Sequence, residues 1–170
     1  WSVLRHSGFR WFFLAQIFSI TGSSMQLAAV NWDVWRITHN QFALGLVGLV
    51  RIVPIIVLSL LGGVVADAMD RRKLQLVTQS MMLIFAGILA LVTIAGAESL
   101  ALIYVLTAAI SGMSAFDQPA RNAMVPNLVR PDEISSAARL NVVMYTVTSV
   151  FGPVIAGLII GRFGSGAAYL

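Results

Sequence analysis

Arg51 and Asp33 are charged residues set inside long apolar runs, in "LVGLVRIVPIIV" and "AVNWDVWRI". A guanidinium at the centre of a hydrocarbon layer costs about 3 kcal/mol or more, so its presence there is a functional hypothesis. At about 1.5 Å per residue, Arg51 lies roughly 14 Å along its helix from the nearer end. It suits an anionic substrate or a coupling carboxylate. The plainer reading is a structural base held by helix carbonyls or reaching outward along its stem. Asp33 fits a proton-titrating group or a partner for Arg51, although their depths differ by roughly 10 Å. It also fits a solvated acid in an interfacial belt with Trp32, Trp35 and Arg36.

Uncharged polar residues recur in two of the apolar runs, with Gln26 in the first and Asn141 in the last the leading candidates for a cavity lining. Such side chains equally often hydrogen-bond across helices. Gly152-Pro153, followed by Ala156-Gly157, would bend the last run, because proline removes one backbone hydrogen bond and glycine permits close packing. That pair is either a pivot or a simple packing kink. Enzyme chemistry has little to work with. Cysteine is absent, and the two histidines, His6 and His39, fall outside the apolar runs. No HExxH site, carboxylate dyad or glycine-rich phosphate loop is present, so neither metal nor cofactor is expected.

The elements that must position these residues follow from composition. The 170 residues are 58% hydrophobic with a mean hydropathy of +0.87, far more apolar surface than one soluble core needs. The surplus must face a lipid bilayer, and roughly 20 helical residues cross it. The runs predict an all-α integral membrane protein with spans at 11–35, 42–66, 74–95, 99–116 and 135–161, and a sixth starting near 167. The stretch from Asp117 to Ile134, with Pro119, Pro126 and Pro131, reads as the one long connection. The net charge of +4 forms no basic stripe with interleaved aromatics, which argues against nucleic acid. Instead Arg5, Arg10, Arg71, Arg72, Lys73, Arg121, Arg130 and Arg139 fall on one side of the predicted spans, against Arg36 and Arg162 on the other. That bias places the amino terminus in the cytoplasm.

Positive-inside sorting accounts for Arg71, Arg72 and Lys73 in "GGVVADAMDRRK" but not for Gly63 or Asp67. The glycine allows close helix approach, and Asp67 emerges one turn later on the same face, where a carboxylate can latch onto a base or a helix end. From Gly63 through Asp67 and Asp70 to Arg71 and Arg72, the stretch resembles the loop between helices two and three of the major facilitator superfamily. "ALGLVGLVRIVP" and "DQPARNAMVPNLV" narrow the resemblance to the branch of exporters that includes the transmembrane secretion effectors and the enterobactin exporter.

The resemblance implies a secondary transporter of the bacterial inner membrane that exports a small molecule, siderophore-like or drug-like, by alternating access, as an antiporter coupled to protons. It also implies two six-helix halves, of which this chain supplies most of the amino-terminal one and lacks the carboxyl-terminal one. In such a protein Gly63, Asp67, Asp70, Arg71, Arg72, Asp117, Arg121, Gly152 and Pro153 would serve conformational gating. Arg51, Asp33, Gln26 and Asn141 would serve substrate binding or coupling. Two departures stand out: Asp70 occupies the usual turn glycine, and no base lies between Ser99 and Phe116, where proton antiporters often carry a buried arginine. The alternatives are a multidrug efflux pump of broad specificity and a truncated, non-transporting scaffold.

Overall fold

Short polar residues set where the helices begin. Asn40 accepts a hydrogen bond from the Phe42 amide on its Oδ1 at 2.8 Å. Asp70 accepts from the amides of Arg72 and Lys73 at 2.9 and 3.1 Å, and Ser99 accepts from Leu102 at 3.3 Å. Each satisfies amides that the first helical turn leaves without a partner. In the computed structural model the chain forms α1 (Ser7–Thr38), α2 (Gln41–Ala68), α3 (Arg71–Ile94), α4 (Leu100–Leu128) and α5 (Ile134–Phe163). The structure describes residues 7–68 and 70–169, with side chains except at 61–68, 71, 123 and 127.

All five helices are long and apolar enough to cross a membrane. Short connections make neighbours in sequence antiparallel, so Thr38, Gln41, Ile94, Leu100 and Phe163 share an upper end. Ser7, Ala68, Arg71, Leu128 and Ile134 share the lower one. Residues such as Phe18, Leu60, Leu83 and Leu91 stay exposed on the outside, as lipid-facing positions must. α4 packs against α2 and α3, while α1 packs against α5. Towards the upper end Val30, Val34, Val47, Leu89 and Ile103 form the largest buried cluster; a smaller one, around Phe9, Val125 and Ala137, closes the lower end.

One connection departs from the sequence reading. Residues 117–128 are not loop, because α4 runs through Pro119 and Pro126 to Leu128. A proline removes one helical hydrogen bond, a loss that a packed membrane helix tolerates. The helix ends where Pro131 forces the residue before it out of helical conformation: Val129 and Arg130 are extended, with ψ of 162° and 153°. Where the sixth span was expected to start, Ser165–Tyr169 forms a 3-10 turn. It packs on α3, α1 and α5.

Candidate functional site

Between α1, α2, α4 and α5 lies a half-open cavity of about 590 Å³. Periodicity explains its polarity. Ser19, Ser23 and Gln26 of α1 recur at four and three residues, and Arg51, Ile55 and Ser59 of α2 at four. Thr107, Ser111, Ser114 and Gln118 of α4 recur at four, three and four, so each set occupies one helix face. Tyr145 and Ser149 of α5 complete the ring.

The lower part of the cavity is held by a buried ion pair. Asp117 and Arg121, one helical turn apart on α4, are 4% and 6% exposed and form a salt bridge. Arg121 also donates from Nη2 to Ser19 Oγ at 2.7 Å, reaching α1. From α3, Gln79 donates to Asp117 Oδ1 at 3.0 Å. The Thr78 hydroxyl lies 3.2 Å from the same oxygen. Three helices thus meet on one carboxylate–guanidinium pair. Sequence reading put this gating pair in the connection from Asp117 to Ile134; it is buried because α4 continues past Phe116, and the same continuation supplies a buried arginine to α4. Nearby, the Tyr145 hydroxyl donates to Gln118 Oε1 at 3.0 Å, joining α5 to α4.

Arg51 and Gln26 also line the cavity. Among the described residues Arg51 has no acid within ion-pair distance. The Gln26 Nε2 is buried without a partner, as is the hydroxyl of Thr107. Asn141, whose Oδ1 is likewise unpartnered, is not among the lining residues.

Asp33 lies elsewhere, fully buried near the upper end and not solvated as an interfacial acid would be. Tyr169 donates its hydroxyl to Asp33 Oδ2 at 2.7 Å. Arg36 approaches Oδ1 at 3.4 Å and pairs with Glu98 of the α3–α4 connection. Asp33 and Arg51 are therefore not partners in this arrangement.

Of the remaining gating candidates, Asp70 caps α3 and Arg72 is exposed. Gly63, Asp67 and Arg71 belong to helical backbone, but their side chains lie outside the described residues. Gly152 is buried where α5 crosses α1, and Pro153 beside it is exposed.

The family model described as a transmembrane secretion effector, within the major facilitator superfamily, matches residues 1–170. The chain belongs to that family. A staphyloferrin A transporter of Staphylococcus aureus is 27% identical over 162 residues, covering 95% of this chain and 41% of that protein. Enterobactin exporters of Shigella boydii and Escherichia coli are each 29% identical over 160 residues, covering 94% of this chain and 38% of theirs. The chain thus spans about two-fifths of the length of these relatives. No solved structure matches. Membership in the secretion effector family and the five apolar helices make this a multi-pass membrane protein.

Sequence reading missed Thr78, Gln79, Thr107, Gln118 and Tyr169. The stripe at 107, 111, 114 and 118 was the available signal. Thr107, Ser111 and Ser114 already share a face within the predicted span, and Gln118 joins them only when residues beyond 116 are read as helix.

Proposed function

We propose that these helices are the amino-terminal part of a secondary active transporter that exports a small molecule across the bacterial inner membrane by alternating access. The observation that carries this reading is the cavity with its floor tied by Asp117, Arg121, Ser19 and Gln79 across three helices. Hydrogen bonds and ion pairs can exchange partners when helix groups rock against each other, which is how such transporters expose a site to each side in turn. The names of the relatives, a staphyloferrin A transporter and an enterobactin exporter, favour a siderophore-like cargo.

In this reading the lower end faces the cytoplasm, in keeping with Arg10, Arg72, Lys73, Arg130 and Arg139 gathered there. A carboxyl-terminal half closes the cavity from the other side. Asp33, buried against Tyr169 and near Arg36, is the candidate proton-coupling acid. The Gly63–Arg72 segment, with Asp67 and Arg71, and Gly152-Pro153 gate the change of state.

The test uses single cysteines at Ser23 and Ser114 in the full-length protein, probed from either face of sealed vesicles with a membrane-impermeant maleimide. Residues 1–170 contain no competing thiol. Labelling should move from one face to the other when cargo or a pH gradient is applied, and cargo should leave against its gradient. Reaction from a single face under every condition, with no cargo movement, would remove the transporter reading.

A further inference from the structure

The geometry points to an oxygen-rich anion, of carboxylate type, as the ligand of the upper part of the cavity, held by Arg51, Gln26 and Thr107. This rests on the transport reading and adds the chemical class of the cargo. Counting the polar groups of the lining shows why. The Asp117 carboxylate is the one anion among the described lining residues, and Arg121 and Gln79 already occupy it. Gln118 Oε1 accepts from Tyr145. The hydroxyls of Ser23, Ser59, Ser114 and Ser149 donate to carbonyls of their own helices.

What remains uncommitted, the Ser24 and Ser111 hydroxyls included, can donate. Arg51 carries five N–H groups in a planar fork and accepts nothing. Gln26 Nε2 has two N–H groups, buried and unpartnered. The Thr107 hydroxyl is also buried and unpartnered, on a residue 6% exposed. Counted from the upper ends of their helices at about 1.5 Å per residue, Thr107, Arg51 and Gln26 lie roughly 10, 15 and 18 Å down. Arg121 lies roughly 31 Å down α4, so the upper donors are spatially separate from the paired floor. A carboxylate matches a guanidinium fork through two parallel hydrogen bonds and has lone pairs left for an amide and a hydroxyl. An organic cation meets the reverse. It finds no free carboxylate, and the one aromatic ring in the lining is Tyr145, already tied to Gln118.

The test is equilibrium binding to the purified full-length protein, with citrate as the carboxylate probe and tetraphenylphosphonium as the cation. Citrate should bind, and the cation should not compete with it. Arg51→Gln should weaken citrate by about 10- to 100-fold, as expected for a lost hydrogen bond to a charged group. Thr107→Val should weaken it by about threefold to tenfold, and Arg51→Lys should fall between wild type and Arg51→Gln. Three results overturn the assignment: no citrate binding at millimolar concentration, tighter binding of the cation, or citrate affinity unchanged by Arg51→Gln. Because wild-type selectivity is itself a readout, a poorly folding variant does not shelter the assignment. Binding is read without transport. Failure here therefore leaves two-sided cysteine labelling standing, and one-sided labelling leaves this result standing.

Discussion

Replacing Gly152 by alanine inserts a methyl group at the closest approach of α1 and α5. A Cβ on residue 152 would lie 2.4 Å from Ser24 Cβ, 3.2 Å from the Thr21 carbonyl oxygen and 3.4 Å from the Met25 amide nitrogen. Carbon atoms in contact prefer about 3.5–4.0 Å, so the helices must part by roughly 1 Å or more. No rotamer change relieves this, because the Ser24 Cβ is fixed to the α1 backbone. Overpacking of this kind costs about 1–3 kcal/mol. It also moves Ser24 and Ser149 apart, both of which line the cavity. Gly157 provides the control, since a Cβ there meets nothing within 4 Å. Gly157→Ala should be neutral or stabilising by up to about 1 kcal/mol through helix propensity. Thermal unfolding of the full-length protein in detergent reads the stability. Spin labels at the exposed positions Phe18 and Phe151 read the helix separation. Wild-type melting and an unchanged label distance in Gly152→Ala would refute the close crossing, as would equal damage from Gly157→Ala.

Asp117→Asn should destabilise the protein by about 3–5 kcal/mol because it leaves the Arg121 charge buried without its partner. The Asp117→Asn/Arg121→Gln double variant should lose less, and strictly additive losses in a double-mutant cycle would count against the pair. Tyr169→Phe removes the hydroxyl that donates to Asp33, and should cost about 1–3 kcal/mol in the same unfolding assay. Asp70→Ala should cost about 1 kcal/mol by uncapping α3, whereas Asp70→Ser should retain most of the stability. If serine proved as damaging as alanine, the charge of Asp70 and not its capping oxygen would be what matters.

Helix number and membrane placement were legible because twenty-residue apolar runs have few alternative explanations. The error fell at Asp117–Leu128, where Pro119 and Pro126 are the usual marks of a loop. In water a proline leaves a helical carbonyl to compete for solvent; in a membrane, exposed irregular backbone is worse, so the helix persists through both. That one boundary hid the burial of the Asp117–Arg121 pair and the last member of the α4 polar stripe, Gln118. The Asp33 environment was illegible for a different reason. Tyr169 is 136 residues away in the chain, and no local pattern predicts that its hydroxyl returns to α1.

Arg51 and Arg121 line the same cavity but differ in what surrounds them, which separates their effects on stability. Arg121 is paired with Asp117 and bonded to Ser19, so removing its charge strands a carboxylate among groups arranged to serve it. Arg51 has no such partner among the described residues, and an unpaired cation at the bilayer centre is a burden of about 3 kcal/mol. Arg51→Gln should therefore leave the ligand-free protein as stable as wild type or more so, by up to about 3 kcal/mol. Arg121→Gln should lower the unfolding temperature. The comparison needs only melting curves of the two variants without ligand. If Arg51→Gln melted as early as Arg121→Gln, Arg51 would have a structural partner in the resting protein, and its charge would not be held open for a ligand.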